Sequence, residues 1–373
     1  MKTRLRAIIF GATITLAGAS STFGQQQFGV DAGIPDAGNC NASVGCPLID
    51  LAASAGAHWI RILAVWHFLE PTQNNYDWGV VPWQVWYANQ KGLNVYFTAT
   101  WAPQWANGAT SVCPPYVDAH QFDPHGVTDP SCANGYQDVG RTVTDSSYTQ
   151  SFFYNLALQF NGSTVAGCPT STVSTCHPLV QYFGVWNEPN GLNNFNDVYY
   201  NPSNLGAYGA DFASQYLIPA HNGVKQANPS ASIVALDLST GASSCGGFSN
   251  CGDWKSSWMT PFNMYYSSLY DVISIHGYNG HTVDHENVDW VNTNASSGKQ
   301  IWETEAAAKD TGTSDLTDLY VDQSNRSSYW PRIFYSLGPR DCSGNPNTLV
   351  CGSGSTLSPT SYYYAYQAVY APH

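Results

Sequence analysis

The chain has 373 residues, enough for one large α/β domain or two ordinary ones, and no internal repeat or low-complexity linker marks a boundary. A formal net charge of −13, with only 10% charged residues, excludes the broad basic face that nucleic acid or an anionic membrane requires. Against this scarcity stand 13 Trp and 24 Tyr, flat rings that serve either a large core or stacking on sugar rings.

Residues 1–24 open with Lys2, Arg4 and Arg6, run through a short apolar stretch and reach Ala17, Gly18 and Ala19, the pattern of a secretory signal peptide. The stretch is too short and too interrupted to be a membrane span. Cleavage after Gly24 would move the formal charge to about −16. Residues 25–373 are then expected as one exported, soluble, monomeric domain. Short β-rich runs alternate there with loops and helical patterns, the order of parallel βα units. Strands are expected at Gln27–Asp31, Trp59–Val65, Asn94–Thr100, 180–186, 232–237, 272–276, 300–304 and Arg332–Ser336. Helical patterns between them include 81–91, ending at Gly92, 148–160, ending near Gly162, and 205–227, which runs into Asn228-Pro229. Eight such strands over about 340 residues predict a single-domain (β/α)8 TIM barrel. No GxGxxG follows any strand, so a dinucleotide fold has no support.

The ten cysteines form five close pairs: Cys40/Cys46, Cys113/Cys132, Cys168/Cys176, Cys245/Cys251 and Cys342/Cys351. An even count in an exported chain predicts disulfides, and neighbour pairing is the simplest of the connectivities that the sequence leaves open. Each short loop so closed gains about 2–3 kcal/mol. Four pairs follow a strand and would staple the βα loops of the barrel's C-terminal face; Cys168/Cys176 precedes one. CxxC spacing is absent, which argues against zinc on thiolates.

The chemistry lies at strand tips. The run VQYFGVWNEPN ends its apolar part at Asn187, Glu188 and Pro189, which sets a carboxylate at the rim of the barrel mouth. The seventh strand, within KQIWETEAAAKD, carries Glu303 and Glu305. Strands four and seven face each other across an eight-stranded barrel, so two carboxylates converge there. Such a pair is what glycoside hydrolysis needs: one protonates the leaving oxygen and the other attacks the anomeric carbon or activates water. Regular alternation would turn Glu303 toward the same pocket as Glu305, one layer deeper.

VWNEPN, SIHGYNG and WETEA, at the ends of strands four, six and seven, resemble clan A glycoside hydrolases, family 39 most of all. The resemblance covers most of the chain as an ordered set of strand ends. It implies a retaining β-glycosidase, secreted and free of cofactor or metal, acting on a poly- or oligosaccharide. It assigns Glu188 as acid/base, Glu305 as nucleophile and Asn187 as the hydrogen-bond partner of the sugar 2-hydroxyl. His276 and Tyr278 would flank the nucleophile, with Arg61 of HWIRILAVW beside it. Trp101 is a candidate sugar platform, Trp302 lies beside the nucleophile in sequence, and Tyr335 stands where related enzymes often carry tryptophan. His67 and Glu70 read more simply as loop polar residues. His276, His281, Asp284, His285 and Glu286 form a rival metal-binding set, a structural cation in the loops being its milder form. The other alternative is a catalytically silent barrel that binds carbohydrate or acts as a scaffold, which would have no use for both Glu188 and Glu305.

Overall fold

The computed structural model describes residues 27–32, 40, 45–108, 142–165, 175–190, 205–240, 254–278, 280–307, 313–337, 348–352 and 357–370. Eight parallel strands close into a barrel in sequence order: β1 (Gln27–Asp31), β2 (Trp59–Val65), β3 (Asn94–Thr100), β4 (Tyr182–Gly184), β5 (Ser232–Ser239), β6 (Val272–Gly277), β7 (Gln300–Ala306) and β8 (Arg332–Ser336). The barrel closes through β1 against β8, with Gly29 opposite Phe334. Helices cover the outside, among them Val81–Gln90, Ser146–Gln159, His281–Asn294, Ser314–Arg326 and Ser361–Tyr370. Asp145 caps Ser146–Gln159 by accepting from the Ser147 N–H at 2.8 Å. The expected helix over 205–227 contains a π-helical stretch, Ala213–Leu217, between two α-helical parts. Among the described residues no helix is long and apolar enough to cross a membrane.

Apart from β4, each strand starts where its pattern predicts, and β5, β6 and β7 run one or two residues further. β4 is shorter than the expected 180–186. Its pairing with β3 covers only Tyr182, Phe183 and Gly184, and Trp186 leaves the sheet to pack on Tyr216, with ring centroids 4.5 Å apart.

The lower barrel interior is filled by Trp59, Tyr96, Val234, Val272, Trp302 and Phe334, with Tyr182 packed on them. Arg332 lies between the Trp59 and Trp302 rings, 4.4 Å from each centroid, and donates to Gln27 Oε1 and Gln300 Oε1. Rings this large fit an eight-stranded barrel only because two inward positions lack a side chain. A Cβ on Gly29 would stand 2.6 Å from the Phe334 ring, and one on Gly184 2.4 Å from the Tyr96 hydroxyl. Above the rings lies a polar layer, and above that the mouth.

Two strands carry one extra residue each. Between Ala235 and Leu238, β5 advances three residues while β6 advances two. Between Glu303 and Glu305, β7 advances two while β6 advances one. Each bulge reverses the inside–outside alternation beyond it.

Cys40 and Cys46 are bonded, stapling the loop after β1. Cys176 and Cys351 are also in disulfides. Residues 1–24 and Cys113, Cys132, Cys168, Cys245, Cys251 and Cys342 lie outside the described residues.

Gly29→Ala is expected to force the Phe334 ring from its place and destabilise the fold by about 1–3 kcal/mol. Urea unfolding followed by tryptophan fluorescence measures this, and an unchanged midpoint would refute the close fit.

Candidate active site

Arg61 rises from β2 into the polar layer with no exposure to solvent. Its Nε donates to Thr98 Oγ1 at 2.9 Å. Nη1 donates to Asp31 Oδ1 at 3.2 Å and Glu305 Oε1 at 2.7 Å; Nη2 donates to Asn187 Oδ1 at 2.6 Å and Asp237 Oδ2 at 3.1 Å. A guanidinium has five N–H donors, and all five are used. Burial alone would lower the Arg61 pKa, but the charges of Asp31, Glu305 and Asp237 keep it firmly protonated.

Glu305 is held by three groups. Besides Arg61, the Tyr278 hydroxyl donates to its Oε2 at 2.5 Å, and His276 Nδ1 lies 3.6 Å from the same oxygen. Burial would raise its pKa, yet the charges of His276 and Arg61 and these hydrogen bonds hold it below the usual glutamate range. Desolvation at its hydroxyl and the neighbouring Glu305 charge push Tyr278 far upward although 38% of the residue is exposed, so it stays a donor. His276 Nδ1 also pairs with Glu188 Oε1 at 3.0 Å. Burial opposes its protonation, but Glu305, Glu188 and Asp237 together raise its pKa above the ordinary value. One oxygen of Glu188, one of Glu305 and one nitrogen of His276 lie within 4.8 Å of one another. The two carboxylates remain reachable, with side chains 21% and 14% exposed.

Strain gathers at the same rim. Glu188, directly before Pro189, has φ +47°, Trp101 after β3 has φ +60°, and Leu236 and Asp237 in the β5 bulge have φ +95° and +37°. Left-handed backbone at such residues costs on the order of 1–3 kcal/mol each and persists where surrounding contacts hold it. At Glu188 the N–H donates to the Asp237 carbonyl at 3.0 Å.

Asp237 is the residue that the sequence does not disclose. Its carboxylate accepts from Arg61, from the Tyr96 hydroxyl at 2.9 and 3.0 Å, from Thr98 at 3.0 Å and from Thr304 at 2.7 Å. Burial opposes ionisation, but Arg61, His276 and the hydroxyl donors keep its pKa low. Val234, three residues earlier, points into the barrel, so simple alternation would send Asp237 outward; the bulge turns it in.

Glu188, Glu305, Asn187, His276, Tyr278 and Arg61 therefore meet in one place. Other candidates do not. Glu303 does not share the Glu305 face: it is fully buried on the outer side of β7, near Asp284 and Asp315, and neither of its oxygens has a partner among the described residues. Burial and those two carboxylates push its pKa far upward, so it is neutral. Trp302 lies inside the barrel but in the ring layer below Arg61, so it reaches no substrate there. Tyr335 faces outward against Tyr366 of the C-terminal helix, so it cannot form the floor of a sugar site. Trp101 reaches the rim, 7% exposed, with its ring beside His67. Burial lowers the His67 pKa to about 4, which leaves it uncharged. Glu70 accepts from Trp66 Nε1 and the Asn74 N–H and so shapes its own loop. The rival metal set divides: His276 is in the mouth, Asp284 lies behind β7, and His281 and His285 pair with Asp322 on a neighbouring helix.

No protein-family model and no curated protein matches the chain. Solved structures do. A family 39 glycoside hydrolase from the gut symbiont Bacteroides cellulosilyticus WH2 is 17% identical, with TM-score 0.57, over 93% of this chain and 64% of that one. A glucosidase from Croceicoccus marinus is 12% identical, with TM-score 0.58, over 92% and 66%. An intracellular xylanase from Thermoanaerobacterium saccharolyticum JW/SL-YS485 is 13% identical, with TM-score 0.55, over 91% and 95%. The chain has the barrel fold of these enzymes. It spans about two thirds of the length of the first two. At these identities the likeness to clan A glycoside hydrolases, family 39 among them, is one of fold.

The neutral state of Glu303 has a signed consequence. A carboxyl with a raised folded-state pKa contributes stability that is full below its unfolded pKa, about 4.5, and is lost as pH rises toward the folded pKa. Glu303→Gln mimics the neutral form without that loss. Its urea midpoint should equal that of the unsubstituted chain at about pH 4 and exceed it at about pH 8. A variant less stable at both pH values would show that Glu303 is ionised and paired.

Proposed function

We propose that the chain is a retaining glycoside hydrolase that cleaves β-linked poly- or oligosaccharide, with Glu305 as nucleophile and Glu188 as acid/base. The observation that carries this reading is the meeting of two carboxylates, one just past β4 and one on β7, on one imidazole, with oxygens within 4.8 Å. Retaining pairs stand about 5–5.5 Å apart and inverting pairs about 6.5–9.5 Å, and an approach of single oxygens to within 4.8 Å is compatible with double displacement.

Each group has a role that its surroundings fit. Glu305 is ionised by Arg61, His276 and Tyr278 and attacks the anomeric carbon. Glu188 gives its proton to the leaving oxygen as that bond breaks, and a glycosyl ester forms on Glu305. In the second step Glu188, now a carboxylate, takes a proton from water; the water oxygen attacks the anomeric carbon and frees Glu305. Esterification removes the Glu305 charge that helps to hold the His276 proton, so the electrostatics around Glu188 change between the two steps. Asn187 Oδ1 is fixed by Arg61, which leaves its amide N–H groups for the sugar 2-hydroxyl. Trp101 stands at the rim as a stacking surface. Two carboxylates suffice, so no cofactor is invoked. A signal peptide over 1–24 and one catalytic domain over 25–373 complete the reading. A silent binding barrel leaves the Glu188–His276–Glu305 arrangement without a use.

Glu305→Gly should lose at least about ten-thousandfold in turnover and recover with azide, yielding the α-glycosyl azide. Glu188→Gly, tested on a substrate with an activated leaving group, should instead yield the β-glycosyl azide. NMR of the first product of the unsubstituted chain should show the β anomer. An inverted first product, or no turnover on any glycan with binding intact, overturns the proposal.

A further inference from the structure

Away from the mouth, the helix His281–Asn294 presents His281 and His285 one turn apart, beside the helix Ser314–Arg326. Both imidazoles turn the same nitrogen to one oxygen: His281 Nδ1 is 3.0 Å and His285 Nδ1 2.9 Å from Asp322 Oδ2. One ligand atom of each residue lies within 4.8 Å of the others. Two imidazoles and a carboxylate are the donor set of a borderline divalent metal such as zinc, not of calcium or magnesium. Around a tetrahedral ion with bonds of about 2.0–2.1 Å, adjacent ligand atoms stand about 3.3 Å apart. Each Nδ1–Oδ2 distance therefore needs to open by only a few tenths of an ångström, and the two imidazole donors already lie within 4.8 Å of each other.

The surroundings are also those of a ligand set. Metal-bound histidines usually direct their second nitrogen to an outer oxygen. His281 Nε2 has Thr282 Oγ1 at 3.4 Å and Asp318 Oδ2 at 3.8 Å. Arg326 Nη1 holds Asp322 Oδ1 at 3.3 Å, which leaves Oδ2 to the imidazoles, while its Nε and Nη2 are taken by Asp289 at 2.8 Å each. The side chains are 34%, 23% and 18% exposed, so an ion reaches them from solvent.

We infer that His281, His285 and Asp322 form a binding site for a divalent transition metal of the zinc class, with water in the fourth position. The metal takes the place of the Nδ1 protons, and the protons leave to solvent. It ties the helix after β6 to the helix after β7, the two that flank the strand carrying Glu305. The inference does not depend on the hydrolase reading.

The mouth also offers a histidine and two carboxylates in Glu188, His276 and Glu305, so the test must separate the sites. Untagged chain, freed of metal by chelator and dialysis, is titrated with zinc chloride at neutral pH by calorimetry. One equivalent should bind with a micromolar Kd. His281→Ala and His285→Ala should each weaken it at least about a hundredfold, beyond the effect of losing an outer partner. Zinc at about a hundred times Kd should raise the melting temperature of the unsubstituted chain but not of the double variant, and calcium should raise neither. Absence of zinc binding overturns the proposal. So does binding that persists in the double variant, or calcium binding as tightly as zinc.

Discussion

The barrel mouth depends on one buried cation with no spare donor. From its own place on β2, Arg61 bonds groups on β1, β3, β5 and β7 and Asn187 just past β4, so five of the eight strands meet on one guanidinium. Its planar fork fixes directions as well as distances, which a lysine with three donors on one atom would not do. A single positive charge among Asp31, Asp237 and Glu305 leaves negative charge in excess. That excess draws protonation to His276, and hydroxyl donors from Tyr96, Tyr278, Thr98 and Thr304 spread the remainder. Stability and reactivity are thereby coupled: the groups that keep Glu305 ionised also hold the strands in register.

The two bulges make this cluster possible. A regular strand turns every second residue inward, so a polar layer and a mouth layer would have to follow the parity of the ring layer below. An extra residue in β5 brings Asp237 to Arg61, and an extra residue in β7 admits both Thr304 and Glu305. Glu303, two residues before Glu305, then falls among helices and becomes neutral. Two glutamates on one strand thus have pKa values pushed in opposite directions by facing opposite media.

Much of this was legible in the sequence. Strand starts other than that of β4 read correctly because a parallel barrel strand is a continuous β-rich run between loops; Glu188 and Glu305 stood out as carboxylates at strand ends, and Arg61 through the resemblance of its HWIRILAVW run. What depended on local backbone irregularity was not legible. Asp237 reads as an outward residue, Glu303 as an inward one, and Trp302 as a neighbour of Glu305 when a full layer separates them. Tyr335 was misplaced for a related reason: Phe334 already occupies the inward position next to it on β8. No short-range pattern announces a bulge that meets a distant segment, as the Asp237 carbonyl does in accepting from the Glu188 N–H.

A guanidinium that has given away every hydrogen is a post, not a hand. Uronic or sulfated sugars are ordinarily gripped by a free Arg or Lys, and the Arg61 guanidinium beside Glu305 has no N–H left to offer them. Among the described residues, the mouth also carries two carboxylates, the His276 imidazole, amide and hydroxyl donors and an indole face. Under the proposed reading, Arg61 itself therefore selects no anionic sugar: its charge is already taken by Asp31, Asp237 and Glu305.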